Sequence, residues 1–334
     1  MEVNRKQFKV QAGEKFACAA LPTTALEICD LPPNEPACLG HSCWASSGLP
    51  FRLNDRWKLQ LGEFEANWLE RGKKFVFTTK MPSAEPEILN EQDTRLLERL
   101  NLLLWGIAIV AGVPSIEFGS ILSGGRTAQD ALLRRVAPIE SFYRTPGTSI
   151  PSTTVSELRS AARFVERFEK IVQRRQREQR SYWRPVSGLY AFVAAMKAPQ
   201  AEIRLHQFVR AIESFLSPSV FGAKKFCKYA CKFLRDAPRA QTTLRQMYDL
   251  RSAAEHHRLF DTRTLRGIQT PEKVAMQRAR QAEAFARELY RRFFAEQEDY
   301  LEYFKDDKSL NTLWSDADKL ATVWGEPFDI DGVA

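Results

Sequence analysis

Histidine is scarce in this chain, four among 334 residues, and two of the four are adjacent, His256 and His257. Cysteine is sparse too. Six thiols in a chain of this length do not make a disulfide scaffold. No long apolar run occurs: the longest uncharged one, about Leu102 to Val113, falls short of the roughly 20 residues a membrane helix needs and reads as a buried helix. The opening Met1-Glu2-Val3-Asn4-Arg5-Lys6 has no apolar signal core, so a cytoplasmic protein with no membrane partner is expected. Ser123-Gly124-Gly125-Arg126 could cradle an anion, but it fits no phosphate-loop spacing and reads as a turn. Residues 1–150 hold no paired carboxylates and no nucleophile–base arrangement, so that half is expected to sense, bind or regulate.

What is present is an ordinary soluble composition, 44% hydrophobic and 27% charged, long enough for two domains with real cores. The formal charge of +8 is unevenly spread. Residues 1–150 carry 17 basic and 17 acidic side chains, residues 151–304 carry 29 and 17, and residues 305–334 carry 3 and 7. The excess of positive charge therefore lies in the middle segment, which favours a polyanionic partner such as RNA over a neutral one. A solvated basic helical surface accounts for the same counts.

The first half mixes strand and helix. Phe51-Arg52-Leu53 and Trp57-Lys58-Leu59-Gln60-Leu61 read as short strands around Asn54-Asp55, since Trp57, Leu59 and Leu61 alternate. Lys73 to Thr79 is another strand. Asn90 caps a helix running to about Ala111, and Ile116 to Leu122 is extended. Cys29, Cys38, His41 and Cys43 could supply a tetrahedral zinc site, but their spacing is not that of a finger or ribbon. Incidental thiols are the preferred reading, and neither a metal nor a cofactor is expected.

Arg144 to Thr153, rich in Pro, Gly, Ser and Thr, is the best linker. Thr154 then caps a helix, with Glu157 completing a capping box and Leu158, Ala162, Val165, Phe168 and Val172 forming its apolar stripe. No convincing strand pattern follows. The helix runs into an arginine-rich stretch, Arg174, Arg175, Arg177 and Arg180, beside Tyr182 and Trp183; arginines contact phosphates and aromatics stack on unpaired bases. The plainer reading packs Trp183 on the core. Further helices are expected at about Val186 to Met196, Glu202 to Leu216, Ala223 to Arg235 (with Lys224, Lys225 and Lys228), Pro238 to His256, and Thr270 to Phe304. The fold class is thus α+β: a mixed strand and helix domain over 1–150, an all-helical domain over 151–304, and an acidic tail over 305–334 that folds back over the basic groove or the first domain.

The stretch from Tyr248 to His257 carries the chemistry. Leu244, Met247, Tyr248 and Arg251 share one helical stripe, and a guanidinium on a core-facing stripe is costly unless paired or given an anion. Glu213 neighbours the inward face of its own helix and could pair with Arg251, or be no more than a solvated boundary residue. In a straight helix His256 points about 140° away from Arg251, so either the helix distorts near Glu255 or a second copy supplies the partner across a two-fold axis. An Arg251–Glu255 salt bridge at i, i+4 with two surface histidines is the bland alternative.

Arg251 and His256 fit the R-x-x-x-x-H signature of HEPN domains, and His257 fits the version one residue longer. Leu244 to Arg251 resembles the ApeA-type branch, and Leu205 to Leu216 resembles that branch's upstream helix bearing Glu213. The resemblance covers roughly Val155 to Phe304. It implies an all-α HEPN bundle, usually dimeric, acting as a metal-independent endoribonuclease. The histidine would be general acid or base at the ribose 2′-hydroxyl or the leaving oxygen, and the arginine would hold the scissile phosphate. Many active members carry Asn, Asp or His after the arginine, where this chain has Ser252, which donates and accepts a hydrogen bond but reaches less far. The implied setting is anti-phage defence or a toxin–antitoxin-like system, restrained by a sensor domain or by an inhibitory or activating partner protein. The alternative is a non-catalytic HEPN module that binds nucleotide or RNA and organises a complex.

Overall fold

The computed structural model describes residues 8–32, 35–40, 42–116, 118–178, 180–218, 222–234, 239–255, 265, 270–296 and 301–333. The chain divides into two compact units: residues 1–142 with 150–169, and residues 143–149 with 170–334. It is an antiparallel sheet followed by helices, an α+β protein.

In the first unit, β1 (Glu14–Pro22), β3 (Ala37–Gly40), β4 (Cys43–Ser46), β5 (Lys74–Pro82), β6 (Ser120–Arg126) and β7 (Ala131–Pro138) form one antiparallel sheet in the order β3-β4-β5-β1-β6-β7. A two-residue parallel pair, β2 (Glu27–Ile28) with β8 (Ser152–Thr153), lies apart from it. The central strand β1 is buried on both faces. Phe16, Cys18 and Ala20 join Phe51, Leu53, Leu69, Val76 and Leu122 in a core on one side, and strand alternation sends Lys15, Ala17 and Ala19 to the other. There α3 (Glu91–Val110) covers the sheet: Thr79 Oγ1 donates to the Leu96 carbonyl at 3.2 Å. A Cβ on Gly106 would stand 2.9 Å from the Ala161 carbonyl oxygen, so glycine allows α3 to approach the helix that follows β8.

Local expectations and geometry agree at the caps. Asn90 caps α3 in a full capping box with Asp93, and the Thr154–Glu157 box opens α4 (Val155–Arg177). Four expectations are corrected. Residues 57–61 lie in a helix, α1 (Asp55–Leu61), which Asn54 caps by accepting from the Trp57 N–H. Alternation of three apolar residues cannot separate a strand from two short turns, and Leu59, assigned to a buried face, is 85% exposed. Phe51 and Leu53 are core residues of irregular backbone rather than a strand. Ser123 to Arg126 lies inside β6, not a turn; Leu132 and Pro86 carbonyls crowd Gly124 and Gly125, where any side chain would clash. Val172, expected on the apolar stripe of α4, is exposed. Helix α2 (Glu63–Arg71) completes this unit.

The second unit is helical among its described residues: α5 (Trp183–Lys197), α6 (Ala201–Glu213), α7 (Gly222–Ala230), α8 (Ala240–Glu255) and α9 (Pro271–Tyr290), then a π-helical turn, Arg291–Glu296, and the short helices α10 (Asp307–Ser315) and α11 (Ala317–Trp324). α6 is central, packed by α5, α8 and α9. Phe192, Phe208, Phe215, Tyr290, Phe293 and Phe304 interlock around it, each such ring contributing about 1.5–3 kcal/mol by burial. The acidic segment beyond Lys305 joins this core: Trp314 Nε1 donates to the Phe215 carbonyl at 3.1 Å and Trp324 Nε1 to the Phe233 carbonyl at 2.7 Å. No described helix is long and apolar enough to cross a membrane.

Candidate functional site

Helices α6 and α8 meet along a polar seam. On α6, His206, Arg210 and Glu213 recur at i, i+4 and i+7, one face of a helix. On α8, Leu244, Met247 and Leu250 are buried, which sets Tyr248 and Arg251 at the edge of the packed face. Arg251 spans the seam: its Nη2 lies 3.4 Å from Glu213 Oε2 and its Nη1 lies 3.1 Å from Glu255 Oε2. Its guanidinium carbon sits 5.3 Å from the centre of the Tyr248 ring, close enough for cation–π attraction. Its Nε is buried and meets no hydrogen-bond acceptor among the described residues.

The seam opens into a cleft of about 380 Å³, walled by Trp183, Arg184, Ser187, Arg210, Glu213, Tyr248 and Arg251, among others. Arg184, in the first turn of α5, donates from Nη2 to the carbonyls of Glu213 (2.9 Å) and Leu216 (3.2 Å). It thereby satisfies the open carbonyl end of α6, where a cation also complements the helix dipole. Arg210 remains exposed.

The electrostatics of the seam are unbalanced. Burial raises the Glu213 carboxyl above its ordinary value, and the attraction of Arg251 does not undo the shift because Glu255 opposes it. A carboxyl that retains its proton more readily is a candidate acid or base, and a neutral Glu213 would release Arg251 to another anion. His206 Nδ1 lies 3.4 Å from the Arg251 carbonyl oxygen, a hydrogen bond in which the ring donates and which requires the Nδ1–H tautomer. Burial lowers its pKa first, with the charges of Arg251 and Arg210 acting the same way against the hydrogen bond to the Arg251 carbonyl and the charge of Glu255.

Of the residues singled out from the sequence, Arg251 and Glu213 are in contact, and Ser252 is half-buried beside them on α8. His256 and His257 lie outside the described residues. The arginine run is elsewhere. Arg174 hydrogen-bonds Glu302 and the Tyr182 hydroxyl, and with Arg177, Glu178 and Lys305 it lines a second cleft. Arg175 is half-buried and Arg180 exposed. Lys224, Lys225 and Lys228 lie exposed on α7, whose first residue, Gly222, borders the Arg251 cleft. Reading by sequence missed Arg184, Arg210 and His206 as site residues. The α6 spacing would have placed His206 and Arg210 beside Glu213; nothing local signals that Arg184 caps another helix.

The zinc alternative finds little footing. Cys29 Sγ lies 2.9 Å from Ser152 Oγ, and burial pushes the Cys43 thiol up to about 12, away from the thiolate a metal needs. His41 lies outside the described residues. No group of three or more metal-binding side chains occurs among the described residues.

Comparison of the chain with protein-family models, curated proteins and solved structures returned no match.

Proposed function

We propose that the helical unit is a HEPN-type, metal-independent endoribonuclease whose reactive arginine is Arg251. The observation that carries this reading is the Glu213–Arg251 pair, which joins the two helices that resemble the family's signature segments at the wall of a cleft rimmed by two more arginines. Arg210 and Arg251 stand at the cleft wall beside Glu213, and guanidiniums match the oxygens of a phosphodiester. In this reading Arg251 grips the scissile phosphate through the guanidinium edge freed when Glu213 takes up a proton. His256 or His257 exchanges the proton of the 2′-hydroxyl or the leaving oxygen, from the same chain or from a second copy across a dimer axis. The basic segments at Arg174 to Arg180 and Lys224 to Lys228 bring RNA to the surface by charge. The setting we infer is the cytoplasm, in a defence or toxin-like role in which a partner protein or residues 1–150 restrain the activity.

The test is incubation of purified protein with total RNA in EDTA, beside Arg251→Ala and His256→Ala. Cleavage by the wild type that both variants lose supports the enzyme. Cleavage that needs a divalent metal, or that persists in Arg251→Ala, overturns it. A second reading, a non-catalytic HEPN module that binds nucleotide or RNA, is favoured by one feature: Arg251 is already held by two carboxylates, next to Ser252. It predicts RNA binding without cleavage, including by residues 143–334 alone.

A further inference from the structure

Trp183 breaks the pattern of its helix. α5 is largely buried, with Val186, Leu189, Phe192, Val193 and Met196 inside, yet its first residue, Trp183, is 53% exposed. The backbone is bent to put it there. Tyr182, immediately before, has φ 56° and ψ 22°, the left-handed region that residues with a β-carbon rarely enter. That turn is held firmly: the Tyr182 side chain is buried, its hydroxyl accepts from Arg174 Nη1 at 2.6 Å and donates to Glu302 Oε1 at 3.1 Å, and its N–H donates to the Lys305 carbonyl at 2.7 Å. Fixing an unfavourable backbone to expose the largest apolar side chain is the reverse of what packing alone selects, and such strain gathers at binding sites.

The exposed indole borders the same cleft as Arg210, Glu213 and Arg251. At about 380 Å³ the cleft lies at the small end of ligand sites, a size for one nucleotide rather than a duplex. In an RNA helix the bases are stacked and paired and their faces are covered; only an unpaired base can be splayed out onto an aromatic side chain.

We propose that Trp183 is the base-stacking platform of the site, so that the cleft takes one unpaired nucleotide, its base on the indole and its phosphate toward Arg210 and Arg251. This makes Trp183 the residue that selects single-stranded over double-stranded RNA. The inference rests on the reading of the cleft as an RNA site, but it concerns binding and does not require that the bound strand be cut.

The test measures binding of the full chain to a fluorescent 2′-O-methyl oligonucleotide, which lacks the hydroxyl nucleophile, as a single strand, as the matching duplex, and as the single strand with one abasic position. Loss of a stacked base typically weakens binding roughly 5- to 100-fold. Trp183→Ala should weaken single-strand binding in that range, Trp183→Phe should retain most of the affinity, and the abasic position should cost Trp183→Ala less than it costs the wild type. Tyr190→Ala, which removes the other exposed aromatic of α5 outside the cleft, should change nothing. Equal affinity for strand and duplex, or no effect of Trp183→Ala, overturns the proposal, as does a wild type that binds neither RNA. Trp183-dependent binding upholds this proposal whether or not the unmodified strand is cut, so its outcome stays separate from that of the nuclease reading.

Discussion

Two clusters of paired basic and acidic side chains, one in each unit, behave in opposite ways. In the sheet unit Lys15 is fully buried, and its ammonium donates to the Ile88 carbonyl (2.6 Å), Asn90 Oδ1 (2.7 Å) and Asp93 Oδ2 (2.7 Å). All three of its donors are used. Arg134 binds the other oxygen of Asp93 and the Pro86 carbonyl. Burial alone would raise Asp93, yet the hydrogen bonds from Lys15 and Arg134 outweigh it and hold the carboxyl below its ordinary value. In the helical unit Arg251 reaches two carboxylates more loosely, leaves Nε without an acceptor among the described residues, and does not offset the burial of Glu213, whose pKa rises. A closed network spends its charges on the fold. An open one keeps charge and protons available to a ligand, which is what separates scaffold from site.

The largest expected effect breaks the closed network. Lys15→Met leaves the buried Asp93 carboxylate with Arg134 but without its ammonium donor, strips the same donor from Asn90 Oδ1 and the Ile88 carbonyl, and should cost about 3–5 kcal/mol of stability in denaturant unfolding; a cost below about 1 kcal/mol would mean that the network is not structural. Arg251→Ala should do the reverse. Its cleavage rate should fall about 100-fold or more, while stability changes by about 1 kcal/mol, because Glu255 is half exposed and Glu213 can take up a proton.

A pH series sharpens the contrast through its sign. The folded pKa of Glu213 lies above its ordinary 4.5, so the folded state binds that proton more tightly than the unfolded state. The stability of wild type relative to Glu213→Gln is therefore greatest below about 4.5 and falls as pH rises through the folded value. For Asp93 the folded pKa lies below its ordinary 3.8. Its contribution relative to Asp93→Asn is present above 3.8 and is lost as pH falls through the folded value. Denaturation midpoints of the three proteins from pH 3 to 8 check both slopes; two slopes of the same sign would erase the distinction. The smallest effect is on the surface. Arg177→Ala, exposed at the end of α4, should leave stability within about 0.5 kcal/mol and lower the salt dependence of RNA binding by about one ion.

How much of this was legible in the sequence depended on distance along the chain. Caps that close within a few residues, Asn90 and the Thr154–Glu157 box, read correctly because the signal and its partner are local. The Glu213–Arg251 contact was legible because both residues sit at the edge of an apolar stripe, where a charge needs a partner. Lys15 and Asp93 were not, since 78 residues separate them and nothing near Lys15 marks it as buried. Gly124 and Gly125 suggested a turn, and only the carbonyls of Leu132 and Pro86 explain why a strand needs them. Trp183 was misjudged for a related reason: it opens an apolar helix, and the left-handed turn at Tyr182 just before it is held by Arg174, Glu302 and Lys305, far along the chain or unsignalled nearby.

The central claim is that the open cluster on α6 and α8 acts on RNA. The direct measurement is the rate of RNA cleavage in EDTA by the full chain and by residues 143–334, each as wild type and as Arg251→Ala. The account predicts metal-independent cleavage by the wild type in at least one of the two forms, lost in both Arg251→Ala proteins. Cleavage that survives the loss of Arg251, or RNA left intact by both wild-type forms, would contradict it.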